Sequence, residues 1–182
     1  TARVDSKTGE VSQSFLHGVW LDVKSFVTGS NSFDAGRELT RRVIDDPQTT
    51  TITNVAGHTE ADVKDPKTNP ETTAGDVVIR YDPATARTRT SDEFDKSTGK
   101  VVLDAPADPG IVLAHEQIHA THMMAGKDTG MAEVRYTGVD GKPYKAPDAE
   151  ARTVGVGGTM RTDDITENQL RDMLGIRPRN NY

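Results

Sequence analysis

The stretch His115-Glu116-Gln117-Ile118-His119 constrains the fold of this chain more than any other, because its chemistry is coherent only on a helix. Side chains at i and i+4 share one helical face, with Cβ atoms about 6 Å apart, so two imidazoles can reach one tetrahedral ion. The carboxylate between them, Glu116, can hold the water that such an ion activates. The flanks favour a helix over residues 109–125. Asp108 offers an N-cap, Pro109 suits the first helical position, and Gly126 is a natural stop. Ile111, Ala114, Ile118 and Met123 recur near a 3.6-residue period, which predicts a centrally buried helix. The pattern is that of a zinc hydrolase, specifically a metallopeptidase.

Elsewhere the elements alternate in type. Ser32, then Phe33, Arg37, Leu39, Val43 and Ile44, predicts a capped helix ending before Pro47. Residues 49–55, 76–81 and 100–103 are β-branched enough for strands. The polar stretch from Gly57 to Gly75 is expected to be a loop, and Thr85 to Lys96 a polar excursion between strands. Residues 15–23 are apolar but without a clear period, and stay unassigned between strand and helix. The expected fold is α+β and zincin-like: a small, mostly antiparallel sheet packed on the helix of the histidine pair, with further helices toward the C-terminus. Residues 1–30 are expected to be an N-terminal extension or packing segment, and residues 31–182 the zinc metallopeptidase domain.

With 182 residues, 34% of them hydrophobic, the chain can build one core, while its 5% aromatics suggest long polar loops. A net charge of −6 and the lack of a Lys/Arg cluster argue against nucleic acid as partner. No apolar run is long enough to span a membrane, and no signal-peptide pattern is present. The start at Thr1 suggests a processed form or a domain of a longer protein, expected to be a monomer. Without cysteine, only His, Asp and Glu remain to bind metal.

Two histidines leave a catalytic zinc one protein ligand short. His122 shares the helix but lies a further ~4.5 Å along its axis, which suits a supporting place in the cleft better than ligation. No histidine follows His122, which excludes the metzincin pattern, and His17 and His58 belong to no motif. Glu150, opening a short helical pattern after Pro147, is the better third ligand; Glu133 competes, although its surroundings alternate as in a strand. Thr166 predicts the N-cap of a last helix that Gly175 ends. Gly155 to Gly158 is expected to be a flexible connection, too short of a phosphate-loop pattern for a nucleotide. Two alternatives accompany the endopeptidase reading: a zinc amidase acting on cell wall, and a non-catalytic binding module with a structural zinc, which would need a fourth ligand such as His122 or Glu133.

Four segments in one order, His115 to His122, Glu150 to Gly155, Thr166 to Arg171 and Arg179 to Tyr182, resemble the NleD-like family of bacterial effector zinc metallopeptidases, gluzincin-like enzymes also found as toxin domains of polymorphic proteins. The resemblance covers residues 110–182; residues 1–109 share only a loose helix-then-strands layout. It implies a zinc endopeptidase, secreted or injected into a target cell and cleaving proteins in its cytosol, with Glu150 as third ligand. Arg179-x-x-Tyr182 also resembles the Arg and Tyr pair of clostridial neurotoxin light chains, which implies that both side chains face the substrate carbonyl opposite Glu116. The same matches imply supporting roles for Arg152, Asn168 and Arg171.

Overall fold

The computed structural model describes residues 35–64 and 74–182, so the expectations for Ser32, for His17 and for residues 1–30 lie outside the described residues. Among the described residues the chain is α+β, in the order α1 (Ala35–Asp45), β1 (Thr50–Thr53), β2 (Thr59–Val63), β3 (Val77–Tyr81), α2 (Pro83–Ala86), β4 (Thr90–Asp95), β5 (Lys100–Pro106), α3 (Pro109–Met124), β6 (Glu133–Thr137), β7 (Pro143–Pro147), α4 (Asp148–Val154) and α5 (Glu167–Met173). The strands form a three-stranded sheet of order β1-β3-β2 and two hairpins, β4-β5 and β6-β7. The larger sheet is mixed, since β1 runs parallel to β3 while β2 is antiparallel to it.

Helix α3 begins and ends as its sequence dictates. The Asp108 side chain accepts from the Gly110 and Ile111 N–H groups, Pro109 follows, and Gly126 sits at φ 62°, where only glycine turns the chain without strain. Burial is not confined to one stripe. One sector of α3 (Leu113, Ala120, Met123, Met124) joins Val63, Val77, Ile79 and Tyr81 in an apolar cluster. A second sector (Ile111, Ala114, Ile118) packs with Leu39, Ile165 and Leu170. His115, Glu116 and His119 occupy the third sector and line a cleft. The helix is therefore wedged between sheet and helices, with one face left for chemistry.

Two polar segments fold differently from the expectation. Thr59–Val63 of the supposed loop forms β2, with Thr59 and Val63 buried, because pairing with β3 provides the hydrogen bonds that its weak β propensity does not advertise. Thr90–Asp95 of the supposed excursion forms β4, where Ser91 and Glu93, two residues apart, turn the same way into the interior. A register shift between these two residues marks a bulge in β5, where three steps from Val102 to Ala105 face two on β4. Strand β1 is shorter than expected. Gly157, expected to be flexible, bridges Thr137, and a Cβ there would collide with the Thr137 backbone.

Candidate active site

The sequence positions α3 and α4 so that three side chains converge. Glu150 lies in the first turn of α4, which follows β7 directly, with the Asp148 N–H held by the Ala132 carbonyl. Its Oε2 is 3.0 Å from His115 Nε2 and 3.2 Å from His119 Nε2, and the two Nε2 atoms are 3.2 Å apart. These three groups could hold a metal ion. Spacings of this size fit: ligand atoms bonded to one tetrahedral ion at ~2.0–2.1 Å stand about 3.3 Å apart. Glu133, the competitor, is exposed on β6 and pairs with Lys145 at 2.7 Å, so it stays out of the cluster.

Hydrogen bonding fixes the ring of His115. An ionised carboxylate can only accept, so His115 Nδ1 donates to Glu167 Oε2, at 2.8 Å, and Nε2 is the atom turned to Glu150 and His119. Burial opposes charge on this imidazole, but Glu150 and Glu167 outweigh it and push the ring up to about 10. The surroundings of Nε2 thus call for a positive charge, which a cation among the three atoms would supply. Burial likewise works against ionisation of Glu150 and Glu167, yet the histidines hold Glu150 well below the usual carboxylate range, and His115 with Arg179 and Arg171 does the same for Glu167. His119 Nδ1 lies 3.4 Å from Thr153 Oγ1.

Glu116 shares the cleft with the cluster and is buried; this burial raises its carboxyl, against the pull of both histidines. The Ala61 backbone of β2 also works against the rise. A buried, raised carboxyl beside three groups that could hold a metal ion has the properties of a proton acceptor.

The C-terminal run completes the cleft. The Arg179 backbone forms an antiparallel β-bridge with Glu93 of β4, the Asn180 N–H donates to the Asp92 carbonyl at 2.7 Å, and the Tyr182 N–H donates to the Tyr136 hydroxyl at 2.8 Å. Asn168 clamps the Arg179 backbone with both amide atoms, at 2.7 and 3.0 Å. So held, Arg179 reaches Glu167 Oε2 at 3.3 Å and lies over the Tyr182 ring at 4.7 Å, while that ring stacks on His115 at 6.2 Å between centroids. Burial and the Glu150 charge raise the Tyr182 hydroxyl, which stays protonated beside that carboxylate.

Of the residues expected to support the site, Arg171 does so indirectly. It is 1% exposed and donates to Glu167 at 2.7 Å, to Glu93 at 2.8 Å and to Ser91 at 3.1 Å. His122 and Arg152 are set apart from the cluster. Arg152 grips Asp164 with two bonds, at 2.8 and 2.6 Å, and donates to the Lys127 carbonyl, and His122 Nε2 lies 3.5 Å from the same Asp164. His58 is half-exposed and pairs with Glu60.

Glu167 went unnoticed in the sequence, where it is the first residue of a capped helix with an arginine four residues on, the pattern of a solvated face. Only its near-complete burial reveals it as the carboxylate behind His115.

No helix among the described residues is long and apolar enough to cross a membrane. Comparison with curated proteins and with solved structures finds no match. The profile of the peptidase M91 family, described as effector proteins, matches residues 24–182. A peptidase family and a cleft in which two histidines of one helix meet a glutamate of another converge on one assignment: the chain belongs to the M91 peptidases, the NleD-like effector proteins.

Proposed function

We propose that this chain is a zinc-dependent endopeptidase, a secreted or injected bacterial effector that cleaves proteins in the cytosol of a target cell. One observation carries the reading: the convergence of His115 Nε2, His119 Nε2 and Glu150 Oε2, in the cleft that also contains Glu116. Three protein groups among the described residues leave a fourth position for substrate, which favours a catalytic over a structural centre. The family supports a protein as substrate and delivery into a host.

Zinc held by His115, His119 and Glu150 would supply a Lewis acid that polarises the scissile carbonyl and acidifies the attacking water. Glu116 takes the proton of that water and returns it to the leaving amine. Glu167, fixed by Arg171, keeps the His115 proton on Nδ1 and so frees Nε2 for the metal. The Tyr182 hydroxyl donates to the developing oxyanion, and Arg179, beside the same ring, adds positive charge. Asn168 sets the path of the backbone that carries both.

The test separates ligation from proton transfer. Glu116→Ala is expected to retain zinc after dialysis and to lose hydrolysis by several orders of magnitude, whereas Glu150→Ala loses the metal and Glu133→Ala and His122→Ala keep it. Tyr182→Phe should retain metal and melting temperature while kcat falls roughly 10²-fold. Stoichiometric zinc in Glu150→Ala, or near wild-type cleavage by Glu116→Ala, would overturn the assignment.

A further inference from the structure

The cleft extends to both sides of the histidine pair, from Ile111 to Met123 of α3, about 18 Å by helical rise. Asp128, in the turn after α3, lines this cleft together with Met123, Met131 and Ala149. Asp128 is 6% exposed. Its Oδ1 accepts from the Gly130 N–H at 2.6 Å and fixes the turn after α3. Its Oδ2 is buried without a hydrogen-bond partner, as is the hydroxyl of the adjacent Thr129, among the described residues. The proposed chemistry uses neither group.

A buried carboxylate oxygen that receives no donor costs free energy, which a bound group bringing an N–H to it would recover. In a peptidase cleft that group belongs to the substrate. A lysine or arginine side chain matches the surroundings: its alkyl stem lies against Met123 and Met131, whose unbranched thioethers adapt to it, and its cationic head brings the missing N–H. Met123 is one turn beyond His119, about 6 Å along the axis, or some two residues of extended peptide. A net charge of −6 draws basic segments toward the chain.

We propose that Asp128 is a specificity-determining residue that selects a lysine or arginine side chain of the substrate near the scissile bond. This rests on the peptidase reading above, and the experiment separates the two. Zinc-loaded protein is incubated with a degenerate decapeptide library and the new N-termini are sequenced by mass spectrometry. Lysine and arginine should be enriched at one position within about two residues of the cut. Asp128→Asn keeps the acceptor for Gly130 and with it the turn, so melting temperature and zinc content hold, while the kcat/KM preference for an arginine over a norleucine peptide falls about 10²-fold. Asp128→Arg should turn the preference toward Asp and Glu.

Cleavage by the wild-type protein without a basic preference, or a preference that survives in Asp128→Asn, would overturn the proposal. If nothing in the library is cut, the peptidase reading is what fails. Calorimetric binding of the arginine and norleucine peptides then decides for Asp128: tighter arginine binding, lost in Asp128→Asn, upholds the pocket, and equal affinities sink it.

Discussion

Two buried arginines flank the candidate site, and their surroundings differ in charge. Arg171 faces two carboxylates, Glu93 and Glu167, so the group carries surplus negative charge, and that surplus is directed at His115 and Arg179. Arg152 faces one carboxylate, Asp164, beside a histidine that burial holds down to about 3, so this group is closed and neutral. The first group transmits charge to the cluster; the second ties α4 to the loop before α5 and to the turn after α3. Burial and arginine chemistry are common to both, and the count of partners sets them apart.

The largest effect should come from the arginines themselves. Arg171→Met strands two buried carboxylates and should cost about 3–5 kcal/mol in denaturant unfolding. Arg152→Met strands only one, and should cost about 2 kcal/mol with zinc content unchanged. Equal losses would break the distinction. A smaller effect is expected at the carboxylates. Glu167→Gln should weaken zinc binding by roughly 10- to 100-fold, measured by chelator competition, while Asp164→Asn leaves it unaltered.

The smallest effect concerns protons. His122 is pushed down to about 3 by burial first and by the Arg152 charge second, against Asp164, whereas an unfolded histidine titrates near 6.5. The unfolded chain therefore binds more protons between these values, so this contribution to stability is complete above pH 6.5 and is lost as pH falls toward 3. From pH 6.5 to 5.5 the wild type should lose about 1 kcal/mol more than His122→Gln in paired denaturant titrations. Parallel curves would show that His122 stays uncharged in neither state or both.

The sequence announced what repeats at helical spacing and concealed what depends on distant partners. Helix α3 with both caps, α4, the Thr166 cap and the strand character of Glu133 were legible, because each rests on neighbours within four residues. Strands β2 and β4 were not: their charged, threonine-rich segments become strands only by pairing with β3 and β5. At the site, the histidine pair declared itself, the helical pattern after Pro147 singled out Glu150, and the family resemblance pointed to Arg179 and Tyr182. Glu167 and Asp128 gave no sign, since a carboxylate looks the same in sequence whether it faces water or the interior.

The bridge between Arg179 and Glu93 joins residues far apart in the chain, and Arg171 reaches back 78 positions to the same glutamate. Protein synthesis runs from the N-terminus, so a nascent chain can assemble the β4-β5 hairpin and α3 well before it owns Glu167, Arg179 or Tyr182. The histidine pair is made early and its surroundings late. Completion of the cleft thus waits for synthesis to pass Tyr182, and ribosome-bound fragments ending before α5 carry the motif without the groups that orient it.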